Sequence, residues 1–439
     1  MVLRSCLLVA ALLGAALVPV AARAQSAPIV GDISGAEFRP FPIAIPDFRA
    51  ADKSPDAVTT SAVGLTKVLR TDLDLSGVFR VLNPKSYIDT DGVVLSTVKF
   101  EDWLNVGADG LVKALVREEG SGFTVEVHAY EVARQREGFT KRYSGTKDTL
   151  RAVGHQIADD LYRHYTGEPG VFRTRIAVVK KVGGEKQIFV MDMDGGELRQ
   201  VTRGGGLNLL PSWSPDGKSV LFTSYRYDNP DLFEMPVQGG EPQRLSRRPG
   251  LNTGGRVSPQ NDKIALTLSQ DGNSELYLLD RGGNVLKRLT SSWGIDTSPS
   301  WSPDGSKIAF VSSRAGNPHI YLMDASGGKA RRLTFQGNYN QTPAFSPRGD
   351  LIAFTARDEF NRFDVFTIHV ESGKITRLTQ DQGNNEDPTF APNGRLIAFT
   401  STRTGSRQVW VMSLDGTHQR QITAGGDHSS PAWGPFVKE

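Results

Sequence analysis

The chain has 439 residues, enough for two domains, and its hydrophobic content of 38% is ordinary for a globular protein. The formal net charge is only +3 at pH 7, and the basic residues within 134–142 and 247–248 are interspersed with acids or prolines, which argues against a nucleic-acid-binding protein. The sole cysteine, Cys6, lies near the N-terminus, so the rest of the chain offers no disulfide, thiol nucleophile or cysteine metal site.

Residues 1–24 have the features of a secretory signal peptide. Arg4 supplies the positive end, residues 6–18 are mostly apolar, and Ala22-Arg23-Ala24 fits a cleavage site with small residues at both ends. The apolar run is shorter than the about 20 residues that a membrane span needs, so we expect a soluble exported protein without direct membrane insertion. Removing Arg4 and Arg23 with the signal lowers the formal charge from +3 to +1.

Residues 25–35 are predicted to be a short N-terminal arm, and residues 36–167 a small α/β domain. Alternating apolar residues predict a strand within 39–46, and Ser54-Pro55-Asp56 has the capping residues of a helix start. Four more strands are predicted at 78–82, 110–116, 123–130 and 138–143, followed by a closing helix at 147–165. A short linker at 168–172 leads out of the domain.

Residues 173–439 are organised by a repeated turn. The turn recurs at steps of 44, 44, 44, 45 and 43 residues. Its six copies are Trp213-Ser214-Pro215-Asp216-Gly217, Val257-Ser258-Pro259, Trp301-Ser302-Pro303-Asp304-Gly305, Phe345-Ser346-Pro347-Arg348-Gly349, Phe390-Ala391-Pro392-Asn393-Gly394 and Trp433-Gly434-Pro435. This period is typical of a four-stranded propeller blade of about 40–45 residues. The sequence therefore predicts an all-β six-bladed β-propeller, in which Asp216, Gly217, Asp304 and Gly305 serve as turn residues.

The order of the strand patterns also predicts how the propeller closes. The first blade, which starts with the strand at 175–179, has no aromatic-Ser-Pro strand ahead of it. Ser430-Pro431-Ala432-Trp433 would supply that innermost strand from the other end of the chain, and closure of this kind protects exposed sheet edges. One copy is unusual, because Gly254-Gly255-Arg256-Val257 lacks the proline and the aromatic residue, so we expect a local difference there.

The usual catalytic signatures are missing from the sequence. It contains no Gly-x-Ser-x-Gly elbow, no phosphate loop and no His-Glu-x-x-His, so we expect neither an enzyme nor a cofactor. His155 and His164 lie nine residues apart on the closing helix, where a packed or solvated role is favoured over metal ligation. Asp192-x-Asp194-Gly195 resembles a calcium loop only superficially and is interpreted as a hairpin turn, so no metal site is predicted.

The segments that precede the inner strands are rich in amide and other polar residues. In a propeller these six segments converge on one mouth of the central channel, where adaptable hydrogen-bonding groups favour recognition of a protein or peptide. For any single Asn or Asp, capping of a turn is an equally good interpretation. The candidate partner-binding residues are Asn208, Leu251, Asn252, Thr253, Gly254, Asp296, Thr297, Asn340, Gln341, Asn385, Glu386 and His428.

The chain also resembles a known family. The junction at 166–177, Thr-Gly-Glu-Pro-Gly-Val-Phe-Arg-Thr-Arg-Ile-Ala, together with the α/β domain and the six repeats, is similar to the TolB family of the Tol-Pal envelope system. The resemblance implies a periplasmic protein whose propeller mouth binds the peptidoglycan-associated lipoprotein Pal, with Leu251, Gly254 and Thr297 at family contact positions. It also implies support of outer-membrane integrity while the envelope constricts in cell division.

A second partner is implied by the same resemblance. The segment 27–34 would bind the inner-membrane protein TolA, through Ile29, Val30 and Ile33. A short apolar arm of this kind suggests a switch, in which the arm packs at the domain interface or is released, and filling of the propeller mouth biases the choice.

Two other readings of the propeller stay open. One is a secreted propeller enzyme: a serine peptidase would need a hydrolase domain, and a polysaccharide lyase would need histidines and a metal at the channel, for which His428 gives little support. The other is a generic scaffold, which differs only in the identity of its partner.

Overall fold

The structure is a computed structural model that describes residues 39–51, 60–88, 91–357 and 360–437. The predicted signal peptide, the N-terminal arm with Ile29, Val30 and Ile33, and the predicted helix start at residues 54–56 lie outside the described residues. The described part consists of a small α/β domain followed by a six-bladed β-propeller, as the sequence predicts.

The α/β domain is one sheet with two long helices. Its strands are β1 (Phe41–Ala44), β2 (Arg49–Ala50), β3 (Phe79–Val81), β4 (Gly110–Glu119), β5 (Gly122–Glu131) and β6 (Arg136–Thr146), and its helices are α1 (Thr60–Leu75), α2 (Phe100–Asn105) and α3 (Leu150–Thr166). Short 3-10 turns occupy Pro84–Ser86, Leu95–Thr97 and Lys147–Thr149. The strand order is β3-β1-β4-β5-β6, with β2 beside β4. Neither α2 nor β2 was predicted from the sequence, because both are too short to show a period.

Apolar stripes hold α1 and α3 against the sheet. Leu65 and Leu69 of α1 and Ile157 and Leu161 of α3 are fully buried in one core. The two helices approach closely at Gly154, where an added Cβ would lie 2.8 Å from Val68 Cγ1. Helix α3 ends at Gly167, which adopts the left-handed conformation with φ 74° that favours glycine at a helix end.

The propeller consists of six four-stranded antiparallel sheets, each ordered from the innermost to the outermost strand. The first sheet contains β7 (Arg175–Val182), β8 (Glu185–Asp192) and β9 (Arg199–Gln200), and its innermost strand is the last one of the chain, β30 (His428–Trp433). The second is β10 (Asn208–Trp213), β11 (Ser219–Tyr227), β12 (Asn229–Pro236) and β13 (Gln243–Ser246), and the third is β14 (Asn252–Val257), β15 (Lys263–Leu268), β16 (Glu275–Asp280) and β17 (Val285–Arg288). The fourth is β18 (Asp296–Trp301), β19 (Lys307–Ala315), β20 (Asn317–Asp324) and β21 (Arg331–Arg332), and the fifth is β22 (Asn340–Phe345), β23 (Leu351–Arg357), β24 (Phe363–His369) and β25 (Ile375–Arg377). The sixth is β26 (Asn385–Phe390), β27 (Leu396–Ser401), β28 (Gln408–Ser413) and β29 (Arg420–Gln421).

The repeated turn is a local hydrogen-bonded device. Ser214 Oγ donates to Asp216 Oδ1 at 2.6 Å and accepts from the backbone N of Ser219 at 3.0 Å, and Ser302 and Asp304 repeat the first bond at 2.5 Å. Gly217 takes a positive φ of 69°, which glycine adopts at low cost. These contacts support the interpretation of the motif as turn chemistry.

The ring closes as predicted. Strand β30 pairs antiparallel with β7, with His428 opposite Lys180 and Trp433 opposite Ile176. The Trp433 indole Nε1 donates to Thr174 Oγ1 at 2.8 Å, and Gly434 N donates to the Arg175 carbonyl at 2.8 Å. Because these bonds join residues more than 250 positions apart, the two ends of the propeller are tied together.

The α/β domain is fixed to the propeller by a buried polar cluster. Arg151 of α3 donates from Nη2 to both oxygens of Asp194, at 2.7 and 2.8 Å, and from Nε to Asp192 Oδ2 at 3.2 Å. His155 lies between Asp72 Oδ2, 2.7 Å from its Nδ1, and Asp192 Oδ2, 3.3 Å from its Nε2. Asp192 ends β8 and Asp194 lies in the turn that follows, as the hairpin interpretation predicted. Arg151 of α3 forms hydrogen bonds with both carboxylates there.

Two further contacts support the same arrangement. Asp74, at the end of α1, receives bonds from His418 and Arg420 of the sixth sheet, and Glu168 of the linker pairs with Arg395. All these propeller residues lie at one end of the ring. It is the end opposite to the one at which the inner strands start. The α/β domain therefore contacts one end of the propeller, and the opposite mouth is not covered by any of the described residues.

Replacing Trp433 by alanine tests the closure. The side chain is buried in the core and its indole is bonded to Thr174, so Trp433→Ala should lower the free energy of unfolding by about 3–5 kcal/mol in guanidinium denaturation. Phe436→Ala, three residues later and exposed, is the matched control and should change it by less than about 0.5 kcal/mol. Equal losses in the two variants would contradict closure by β30.

Candidate docking surface

Each inner strand begins with a polar residue that is buried. The six are Asn208, Asn252, Asp296, Asn340, Asn385 and His428, and none is more than 2% exposed. All six were predicted to contact a partner at the mouth. The structure instead places their side chains inside the blades, which corrects this part of the prediction.

The bonds of these residues explain the correction. Asn385 Nδ2 donates to Asp364 Oδ1 at 2.9 Å, and its Oδ1 accepts from Arg403 Nη2 at 2.9 Å. In the same way Asp296 Oδ2 accepts from Arg314 Nη2 at 2.6 Å. Buried amides and carboxylates require such partners, so these side chains fasten the start of the inner strand to its own and the neighbouring sheet. A local structural role, in line with the alternative interpretation of turn capping, is therefore favoured for the Asn and Asp residues of this set, whereas His428 differs from them.

The other predicted residues lie where a partner could reach them. Leu251 is exposed, and the remainder are partly exposed at the starts of four inner strands: Thr253, Gly254, Thr297, Gln341 and Glu386. Because every inner strand starts at the same end of the ring, the structure brings these residues together around one mouth. Their role in binding stays a prediction.

A bulge follows these residues in all six inner strands. The residue at the bulge has a positive φ of 50–67° in every sheet: Leu210, Gly254, Ser298, Thr342, Asp387 and Ser430. In several sheets the bulge turns a backbone N toward the next blade, as where Asp387 N and Ser430 N donate to Thr355 Oγ1 and Thr400 Oγ1 at 3.1 and 2.9 Å. The bulges therefore join neighbouring blades around the mouth.

The unusual blade uses glycine at its bulge. Gly254 has a φ of 67°, and an added Cβ there would meet no atom within 4 Å, so the backbone of β14 is open at this point. At Gly255, by contrast, a Cβ would lie 2.7 Å from Leu232 Cδ1, so the absence of a side chain permits close packing of two blades. The next residue is Arg256, whereas the other five inner strands have a small side chain at this position. The expected local difference is thus present.

The inner strands surround a channel with a cavity of about 390 Å³, lined by all six sheets. Arg256 lies in its wall and donates from Nη1 to the Pro211 carbonyl at 3.0 Å. Asp387 also lines it and accepts from Ser430 Oγ at 3.0 Å. Burial raises the pKa of Asp387, against the opposing effects of Ser430 and Arg407, and lowers that of Arg256. The channel wall thus contains one cation and one carboxyl group, both partly exposed to the cavity.

Large exposed apolar side chains are concentrated on the same mouth. Trp293 is 75% exposed, Phe335 71% and Ile295 53%, and all three lie in loops that lead into inner strands. Leu207 before β10, Tyr227 at the end of β11 and Phe360 before β24 are also exposed at this end. The sequence placed Leu207 and Ile295 in the segments around this mouth but did not point to the aromatic residues Trp293, Phe335, Tyr227 and Phe360. The available signal was an aromatic or branched side chain next to glycine in a loop, as in Ser292-Trp293-Gly294.

His428 differs from the corresponding residues of the other sheets. It is fully buried, and within the described residues neither Nδ1 nor Nε2 has a hydrogen-bond partner. Burial, and to a smaller extent Lys180, lower the pKa of His428 from 6.5 to about 4. The imidazole is therefore neutral in the folded protein near neutral pH, and protonation would place an uncompensated charge inside the sheet.

One cluster away from the mouth has metal-ligand residue types. Among the described residues, ligand atoms of Asp72, His155 and Asp194 lie within 4.8 Å of one another. The Arg151 guanidinium already contacts both oxygens of Asp194. Burial lowers the pKa of His155, but the neighbouring Asp72 and Asp192 outweigh this effect and raise the pKa to about 10. Arg151 and His155 thus pair with the three acidic side chains of the cluster, which is an interdomain contact. His164 is packed between Phe139 and Tyr165.

Comparison with known proteins agrees with this architecture. The family model described as the TolB beta propeller domain matches residues 162–437, and that of the TolB amino-terminal domain matches residues 31–138. The chain belongs to the TolB family. The crystal structure of TolB from Acinetobacter baumannii superposes with a TM-score of 0.80 at 27% identity, over 91% of this chain and 97% of that one. The TolB assignment therefore extends over both domains.

Two curated relatives carry the name Tol-Pal system protein TolB. The protein of Anaeromyxobacter sp. (strain K) is 43% identical over 234 residues, which is 53% of this chain and 52% of that protein. The protein of Myxococcus xanthus (strain DK1622) is 43% identical over 216 residues, or 49% of each chain. The match thus spans about half the length of these relatives. No described helix of this TolB-family chain is long and apolar enough to cross a membrane.

The buried histidine predicts a pH effect on stability. Because the pKa of His428 is lower in the folded state than its ordinary value of 6.5, the unfolded chain binds more protons between pH 6.5 and about 4. The contribution of neutral His428 to the free energy of unfolding is fully present above pH 6.5 and is lost as the pH falls toward 4. His428→Asn, which introduces the residue found at this position in four other sheets, should reduce the loss of unfolding free energy across that window.

The control for this measurement is His369→Asn on β24, which should leave the pH dependence of the parent chain in place. An unchanged pH profile in His428→Asn, measured by denaturant unfolding at several pH values, would show that His428 does not carry the effect.

Proposed function

We propose that this protein is a periplasmic, non-catalytic component of the Tol-Pal system that docks the lipoprotein Pal on the propeller mouth at the starts of the inner strands. In this function it supports outer-membrane integrity and envelope constriction during cell division. Family membership and the name of the curated relatives support a place in the Tol-Pal system. The observation that carries the choice of surface is the concentration of exposed apolar side chains on this mouth.

The character of the mouth supports a protein as its ligand. Trp293, Ile295 and Phe335 stand in water although their burial would be favourable, and such groups on a soluble surface typically mark an interaction site. Aromatic side chains beside a concave pocket are typical anchors of protein interfaces. The opposite end of the propeller already contacts the α/β domain through Asp192 and Asp194, and the linker residue Glu168 through Arg395. A partner can therefore dock on the free mouth without displacing the domain.

The second part of the proposal concerns the N-terminal arm. We assign TolA binding to residues 27–34, with Ile29, Val30 and Ile33 as its apolar contacts. This assignment depends on the family relationship and on the apolar pattern of the segment. The division into an arm at 25–35, an α/β domain at 36–167, a linker at 168–172 and a propeller at 173–439 belongs to the same proposal.

Thr297→Arg tests the Pal-binding surface. Thr297 is partly exposed at the start of β18, so a long cationic side chain there should obstruct a partner without entering the core, and we expect about tenfold weaker binding or more. Affinity capture of Pal from a detergent-solubilised envelope is the first measurement, followed by titration with the soluble domain of Pal. Asn252→Arg is a poor test, because Asn252 is fully buried.

The matched control is Thr376→Arg, the same substitution at an exposed position of the outermost strand β25. It should bind Pal as the parent chain does. Failure of the parent chain to retain Pal would reject the proposed function.

Deletion of residues 25–34 tests the arm. Because the mouth lies on the propeller and the arm precedes the first strand of the α/β domain, the deletion should abolish capture of TolA and leave binding of Pal intact. Loss of both partners, or of neither, would contradict the assignment of separate sites.

A further inference from the structure

A mouth built from six similar blades does not by itself fix how a partner is oriented. The six inner strands carry the same bulge and each begins with a buried polar residue, so the backbone is nearly repeated six times around the channel. A partner could meet such a backbone in six rotations with similar contacts. Selection of one rotation must therefore come from side chains that break the repeat.

The most exposed apolar side chains of the loops that lead into inner strands lie in one part of the rim, whereas Leu207 and Tyr227 are exposed near the cations of the first and second sheets. We define the apolar arc as Leu251, Trp293, Ile295 and Phe335, which lie in the loops leading into β14, β18 and β22. All four are exposed. The nearby cation Arg314 is paired with the buried Asp296 at 2.6 Å, and Asp271 pairs with Arg288. These charged side chains therefore form ion pairs within the blades.

Cations occupy the other part. We define the basic arc as the side chains of Lys180 and Lys181 on β7, Lys186 on β8, and Arg203, Arg247 and Arg407 in loops, all at the mouth end of the ring. The two arcs meet in the loop 247–251, which contains both Arg247 and Leu251. Among the residues that the structure describes, none of the six makes an ion pair with a carboxylate. The same part of the rim also contains the acidic residues Glu185, Asp228, Glu386 and Asp427, which the cations outnumber.

The basic arc acts on the channel as well. Lys186 and Arg407 both lower the pKa of Asp387, which burial raises. Their positive potential thus extends from the rim toward the inner wall. Unpaired cations beside a low-dielectric cavity attract negative charge more strongly than the same cations on a flat surface.

We propose that the partner docks in a single rotation, with an acidic face over the basic arc and an apolar projection against the apolar arc. This inference rests on the proposed function and adds the chemistry of the partner surface. The basic arc steers the encounter and sets the rotation, because complementary potentials act at a distance. The apolar arc holds the complex once it has formed, because burial of Trp293 and Phe335 depends on close contact.

An anionic membrane is the other kind of surface that cations and aromatic groups bind. A planar bilayer interface is flat, whereas here the most exposed apolar side chains of the loops before the inner strands and most of the basic arc lie on different sides of a concave channel. The separation favours a shaped protein surface with its own division into an acidic and an apolar part.

The test measures association and dissociation rates of the soluble domain of Pal with the full chain at low and high salt. A triple variant, Lys181→Glu, Arg203→Glu and Arg407→Glu, should associate about tenfold more slowly or more at low salt, with its salt dependence reduced or reversed. The matched control, Lys218→Glu, Lys329→Glu and Lys374→Glu, makes the same charge change in turns at the opposite end of the propeller and should associate within about twofold of the parent chain.

A second pair of variants tests the apolar arc. Trp293→Ser with Phe335→Ser should raise the dissociation rate about tenfold or more while association changes little. Val285→Ser with Leu286→Ser, on the outermost strand β17 and also exposed, is the control and should leave both rates unchanged.

The outcomes are distinct. Basic-arc and control charge variants that associate at equal rates, or an apolar-arc variant that dissociates like its control, would overturn the inference while Pal binding by the parent chain upholds the proposed function. Absence of Pal binding by the parent chain would overturn both. Binding of the parent chain to anionic phospholipid vesicles, lost in both arc variants, would assign the two arcs to a membrane and would overturn the inference of a protein face.

Discussion

Hydrogen bonding between the first and last strands of the propeller is the constraint on which the rest of the structure depends. Strand β30 completes the first sheet, and Trp433 ties it to Thr174 just after the linker. Without this pairing the first sheet would lack its inner strand and would expose an edge. The six inner strands could then not enclose the channel, and the loops that precede them would not share one rim. The mouth is therefore a product of closure.

The second determinant is where the α/β domain sits. Arg151 and His155 hold the turn that carries Asp192 and Asp194, and this turn lies at the end of the propeller away from the mouth. One end is thus used for the contact with the domain, and the other carries exposed aromatic and basic side chains that no described residue covers. The two ends of the nearly repetitive ring therefore differ: one contacts the α/β domain, and the other is exposed.

Much of the fold could be predicted from the sequence because its signals are local and repeated. The Ser-Pro-Asp-Gly turn fixes the blade length, and the missing first inner strand identifies Ser430–Trp433 as its replacement. The site was harder to predict than the fold. A shift of one residue in strand register decides whether a polar residue at the start of a strand faces the channel or the sheet. Asn208 and Asn385 were predicted at the mouth and lie inside the blades. The contact between Asp72 and His155 joins residues 83 positions apart, and no local pattern indicates it.

The central claim is that the mouth at the starts of the inner strands is the docking surface. Hydrogen–deuterium exchange with and without the soluble domain of Pal tests it most directly. The account predicts slower exchange on Pal binding in the loops around Leu251, Trp293 and Phe335, and no change in the turn that contains Asp192 and Asp194. Protection confined to that turn or to other loops at the α/β end of the propeller, with unchanged exchange around Trp293, would contradict it.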